Sequence, residues 1–400
     1  MSVRPEILSM ASELAAYRRT LHAHPELAFQ ETFTSDFVAK KLSEWDIPYE
    51  RGMAGTGIVA WVDGISNTKD RSIALRGDMD ALPITEETQR EWTSQKTGCM
   101  HACGHDGHTI MVLGTAKYLN ENNKFSGRVY FIFQPAEESG GGAQRMINDG
   151  LFERYKIDEV YAVHNAPYAP VGMFGSREGP IMAATDDVHI TLKGRGGHAA
   201  LPHLANDPLI AACKLVSSLQ TIISRNVNPT ENAVISITNI HAGGNGFEAT
   251  NVIPDSASLS GTVRTFLPAI RNMIEERITK MANGIAEAFD MTADVTYTRH
   301  YESTINHPEM TEIAMDIARG IVGEDAVITA PLVMNAEDFG AMLAHKPGNY
   351  MFVGQADGSD PESPHSQGLH HPRYDFNDRI IPLVMEYYVR LVEHRLGPSS

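Results

Sequence analysis

The chain has 400 residues, 42% of them hydrophobic and 21% charged, and 50 Asp and Glu against 33 Lys and Arg leave a formal charge of −17. Such a length exceeds one ordinary hydrophobic core, so two domains are expected. The acidic balance excludes nucleic acid and anionic membrane surfaces as partners, because both need clustered Lys and Arg.

Three cysteines, Cys99, Cys103 and Cys213, are too few for a disulfide framework. The first residues lack the apolar core of a signal peptide, and no apolar run is long enough to cross a membrane. A soluble, cytoplasmic protein is expected.

Residues 7–24 read as an amphipathic helix stopped at Pro25. Residues 32–45 read as a second, with Phe33, Phe37, Val38, Leu42 and Trp45 near helical period. Two β-type runs follow, 57–62 and 72–76, and the second leads into Gly77-Asp78-Met79-Asp80. The stretch Met100-His101-Ala102-Cys103-Gly104-His105-Asp106-Gly107-His108 then packs three histidines, a cysteine and an aspartate into nine residues. A helix is expected over 109–119. A buried strand over 128–133 ends at Gln134-Pro135-Ala136-Glu137-Glu138. After a short helix, 143–148, a strand over 159–163 ends at His164-Asn165. Three strands thus stop at carboxylates or a histidine, where open α/β sheets place their active sites.

Character changes near Asp186. Strand 188–192, helix 208–224, strands 233–240 and 257–265, helix 270–289 and strand 293–298 give the β-α-β-β-α-β order of a ferredoxin-like fold. The expected division is an inserted domain over 186–299 and a discontinuous α/β domain over 1–185 and 300–400. Edge strands of so small a sheet must be covered or paired, which predicts a homodimer, or a tetramer built from it, through the inserted domain. Helix 308–322, strand 349–353 and helix 380–396 complete the chain. A second histidine-rich loop, with His365, His370 and His371, precedes the last helix.

The candidate metal ligands are Cys103, His105, Glu137 or Glu138, His164, and His370 or His371. Thiolate and imidazole together suit zinc, cobalt, nickel or manganese better than calcium or magnesium. Five or six ligands exceed what one tetrahedral ion takes, so two divalent transition-metal ions are expected. Neighbours in an extended segment point in opposite directions. One of Glu137 and Glu138 would therefore bind metal, while the other activates a water as general base.

The motifs His101 to His108, Gln134 to Glu138, Val163-His164-Asn165 and Gly196-Gly197-His198-Ala199 occur in an order that carries a resemblance. Over essentially its whole length the chain resembles the hippurate hydrolase and N-acyl-amino-acid amidohydrolase branch of the aminoacylase/carboxypeptidase metallohydrolases, which includes auxin-conjugate hydrolases. The resemblance implies a metallopeptidase-like α/β catalytic domain with a central mixed sheet flanked by helices, plus the inserted ferredoxin-like dimerisation domain. It implies a two-metal site held by Cys103, His105, Glu138, His164 and His370, with Glu137 as the base. His198 would stabilise the oxyanion, commonly from the partner subunit. Asn251 and Arg264 would contact the substrate, the guanidinium matching a free α-carboxylate.

In the carboxypeptidase relatives a metal-binding histidine stands where Asp78 falls. Asp78 and Asp80 are read as groups that orient ligands. Glu337 and Asp338 match a family segment near the site without an assigned role, and His24, His101, His108 and His371 are read as supporting or structural. The implied substrate is a small N-acyl amino acid such as hippurate or an N-acetyl-amino acid. Two further readings are a dipeptidase or carboxypeptidase of the same family, and a catalytically silent metal-binding dimer.

Overall fold

Helix α1 (Pro5–Ala23) opens with proline in its first turn and turns Ile7, Met10, Leu14, Arg18 and Leu21 inward. Helix α2 (Thr32–Glu44) buries Val38, Ala39 and Leu42. The computed structural model describes residues 2–66, 70–243, 249–358, 360 and 362–397. The chain divides into two compact units. The first comprises Met1–Ile181, Ile305–Pro331 and Asp338–Ser400, and the second Met182–Thr304 and Leu332–Glu337.

The first unit is built on a mixed eight-stranded sheet. Its early strands are β1 (Tyr49–Met53), β2 (Gly57–Asp63), β3 (Ser72–Asp78), β4 (Arg128–Gln134) and β5 (Glu159–Pro170). The order across the sheet is β1, β2, β4, β3, β5, then Gly348–Ala356, Phe174–Ser176 and Val327–Thr329. β3 runs parallel to β4 and β5, and all its residues are buried. An unbroken apolar run such as Ile73-Ala74-Leu75 is what a strand covered on both faces requires. Helix α3 (His105–Glu121) is buried along most of its length and packs beside α1 and the final helix, Ile381–Leu396.

Two sequence expectations change here. The strand expected to stop before His164 continues to Pro170, because Gly348–Ala356 pairs with it in parallel as far as Ala356 opposite Pro170. His164 therefore lies within a strand rather than at its end. α3 begins at His105, not Thr109, so part of the histidine-rich stretch is helix.

The second unit carries a four-stranded antiparallel sheet ordered Ala233–Ala242, Ser256–Thr265, Ala184–Lys193, Thr292–Arg299. Helices Pro208–Asn226 and Pro268–Ala288 supply Leu215, Leu219, Ile222, Ile274 and Ile278 to its own core. The strand order is that of a ferredoxin-like sheet. Among the described residues no helix is long and apolar enough to cross a membrane, and all three cysteines are unpaired.

Candidate metal centre

β3 and β4 lie side by side and end together, Asp78 opposite Gln134. The chain beyond β3 delivers Asp80, and the chain beyond β4 delivers Glu137 and Glu138. Asp80 joins the two: its Oδ1 accepts the Glu137 N–H and its Oδ2 the Glu138 N–H, each at 3.0 Å. The glutamates sit in a turn entered through Ala136 at φ 56°, not in an extended segment. Their carboxylates consequently share one neighbour instead of pointing apart. His105 Nε2 lies 4.0 Å from Glu137 Oε2 and 3.8 Å from Glu138 Oε1.

Gly104, at φ 92°, caps α3 and turns the chain between Cys103 and His105. A β-carbon there would collide with the Asn165 amide and the Tyr374 hydroxyl, so only glycine fits. Cys103 Sγ then stands 3.5 Å from His164 Nε2, and the ligand atoms of Cys103, His105 and His164 lie within 4.8 Å of one another. Cys103, Glu138 and His370 form an overlapping set within the same limit. His370 has φ 65°, donates its backbone N–H to Ala102 O at 2.8 Å and places Nε2 3.2 Å from Glu138 Oε1. His371 instead uses Nδ1 to accept the Arg373 N–H.

Two tautomers are fixed by the backbone. His105 Nδ1 donates to Asp80 O at 2.9 Å, and His164 Nδ1 donates to Asn165 O at 2.8 Å. In its neutral form each ring presents Nε2 as a lone-pair donor to the cluster. His105 Nε2 is buried and makes no hydrogen bond among the described residues. A buried imidazole nitrogen without a partner, beside a thiol and two carboxylates, is what a divalent ion would satisfy. The residues fit the metal.

The electrostatics agree. Burial works against a charged His105, yet Asp78, Asp80 and Glu138 outweigh it and hold its pKa up to about 10. Burial, followed by Glu138, Glu137 and Asp78, pushes the Cys103 thiol well up. Burial and the neighbouring His108 ring hold His164 well down. Asp78 resists its own burial and stays well below the usual carboxylate range, through Arg76, His105 and His108. The buried acids favour positive charge at this place, and a bound cation would expel the thiol proton.

Of the supporting residues, His108 puts Nδ1 2.7 Å from Asp78 Oδ1, and His24 stacks on Phe33 at 4.4 Å. His101 is buried, its ring 6.3 Å from that of His22. Asp338 receives Arg76 and the Ala143 N–H, whereas Glu337 belongs to the second unit. Two residues carried no sequence signal. Arg76, in mid-strand, ties Asp78 to Gln134 and Asp338. Glu31 accepts the Ala136 N–H at 2.9 Å and so holds the turn that precedes the two glutamates.

His198, Asn251 and Arg264 all lie in the second unit. His198 is exposed on a short strand paired with Val252–Ile253, and its Nδ1 accepts the Ala200 N–H at 3.1 Å. His198 and Asn251 both line an open cleft of about 740 Å³ in this unit. Arg264 is half-buried near the end of Ser256–Thr265 and gives one N–H to Thr262 Oγ1 at 2.7 Å.

The sequence profile of peptidase family M20/M25/M40 matches residues 74–394. The chain belongs to this family. The M20 chain is 38% identical over 392 residues to hippurate hydrolase of Campylobacter jejuni, covering 98% of each chain. It is 38% identical to N-acetyl-L-cysteine deacetylase of Bacillus subtilis, over 98% of this chain and 90% of that relative. A Bacillus subtilis structure described as a dinuclear metal-binding M20 peptidase superposes with a TM-score of 0.83 at 32% identity, over 98% of this chain and all of that one. The M20 chain is thus a metal-dependent hydrolase of amide bonds with a divalent-metal site, and the clustered Cys, His and Glu side chains are groups that could hold the ion.

Proposed function

We propose that this M20 hydrolase cleaves the amide of small N-acyl amino acids into a carboxylate and a free amino acid, using two divalent transition-metal ions drawn from zinc, manganese, cobalt or nickel. The observation that carries this reading is the convergence of Cys103, His105, Glu138, His164 and His370, which would hold the pair. The relatives named hippurate hydrolase and N-acetyl-L-cysteine deacetylase support the substrate class. When bound, the ions polarise the amide carbonyl and acidify a water.

The protein's own residues do the rest. Glu137, beside the ligands but tethered by its backbone to Asp80, takes the water's proton and returns it to the leaving amine. Asp80 orients His105 through Nδ1, and Asp78 steadies His108. Because Nδ1 of His198 accepts an N–H, its neutral ring carries hydrogen on Nε2, the form that donates to an oxyanion. His198 performs that task from its own or the partner subunit, and Asn251 and Arg264 hold the substrate's carboxylate end.

The test is hydrolysis of N-acetyl- and N-benzoyl-amino acids by chelator-stripped protein, back-titrated with each metal. Activity is expected to vanish on stripping and to return by two equivalents. Restored cleavage of unblocked dipeptides alone would overturn the substrate class.

A homodimer through the second unit, with a tetramer as its further assembly, is part of the same proposal. Ala233–Ala242 is a sheet edge with Asn239 and Ile240 exposed, and Leu209 and Ile210 are exposed on Pro208–Asn226. Sedimentation should find a dimer, and Ile240→Glu should shift it toward monomer; a wild-type monomer would sink this part. Cytoplasmic residence is proposed on the unpaired cysteines, one of them a ligand candidate that oxidation would destroy.

A further inference from the structure

Arg18 occupies a position of the inward stripe of α1 whose other members, Ile7, Met10, Leu14 and Leu21, are apolar. Burying a guanidinium there is costly unless every charge is matched. Arg18 is wholly buried, and its partners lie far away in sequence. Nε donates to Asp378 at 2.7 Å, and Nη1 reaches Asp375 at 3.1 Å and Asp106 at 3.4 Å. One turn further along α1, the buried His22 places Nδ1 2.8 Å from Asp106 Oδ2 and Nε2 3.2 Å from Glu86 Oε1. Burial opposes charge on His22, but Asp106 and Glu86 outweigh it and hold its pKa up to about 9.

The partners share a property. Asp106 follows His105 in the first turn of α3. Asp375 and Asp378 follow the turn that carries His370, and Glu86 lies on the segment leaving Asp80. Two cations on one helix therefore grip the segments that present ligands to the metal centre, without touching the centre themselves. A core arginine serving stability alone has no reason to select those segments.

We propose that Arg18 and His22 are positioning residues of the metal centre, holding His105 and His370 in register from α1 through Asp106 and Asp375. This rests on the ligand reading above.

The experiment loads chelator-stripped protein with cobalt(II), then reads its visible bands and its affinity by chelator competition. Wild type is compared with His22→Gln, Arg18→Lys and Arg271→Lys. The last loosens the buried Arg271–Asp186 pair of the second unit, a control for lost stability. His22→Gln and Arg18→Lys are expected to shift the bands and weaken cobalt binding about 10- to 100-fold, with Arg271→Lys unchanged in both. Variants that melt lower yet keep wild-type bands and affinity would overturn the proposal. If His22→Gln does not fold, Glu86→Gln tests the same ring from its far side, with the same two outcomes. Wild type that takes up no cobalt would sink the ligand reading itself, a result distinct from either.

Discussion

Glu137→Gln is expected to lower kcat about 10²- to 10⁴-fold while two equivalents of metal remain bound. Glutamine fills nearly the same space but cannot accept a proton. The backbone N–H that Asp80 holds is untouched by the exchange, so the turn keeps its shape. Glu138→Gln should behave differently. Its carboxylate lies 3.2 Å from His370 Nε2 and within reach of Cys103, so the loss should appear first as metal released on dialysis. Metal analysis alongside kcat separates the two cases. If Glu137→Gln lost its metal and Glu138→Gln kept it, the two roles would be exchanged.

Arg76→Met should destabilise the first unit by about 3–5 kcal/mol, the scale for removing one partner of a buried charge pair. Arg76 is 3% exposed; Nη1 meets Asp78 at 2.6 Å and Nη2 meets Asp338 at 2.8 Å. Methionine replaces the stem but leaves both carboxylates without this cation. Adding Asp338→Asn should recover part of the loss, because it removes one of the charges left behind. Arg128→Met, which breaks the exposed pair with Asp63, should cost only about 0–1 kcal/mol. Urea unfolding of the four proteins reads the differences, and equal losses for Arg76→Met and Arg128→Met would remove Arg76 from its structural role.

These two residues mark how far the sequence could be read. The pair Glu137-Glu138 was legible as a candidate because carboxylates directly after an apolar strand have few purposes, but the choice of Glu137 as the base came only from the family resemblance. Arg76 was not: an arginine between Leu75 and Gly77 looks like any polar residue in a strand until Asp338 is brought beside it. Glu31 was invisible for the same reason, since its partner, the Ala136 N–H, lies more than a hundred positions away.

The sequence by itself determined what depends on local pattern. Apolar runs and helical periodicity located the main elements, and the order of elements after Asp186 spelled out a ferredoxin-like sheet. The density of Cys and His in the stretch around Cys103 pointed to a divalent-metal site. Tertiary structure decided what depends on convergence. It carried β5 through His164 because a partner strand ran beside it, and it curled Glu137 and Glu138 into a turn because Asp80 and Glu31 captured its N–H groups. It also brought His370, not His371, to Glu138 through a left-handed backbone held to Ala102. Hydrogen bonds and ion pairs act over about 3 Å, and no spacing along the chain shows which distant groups will come that close.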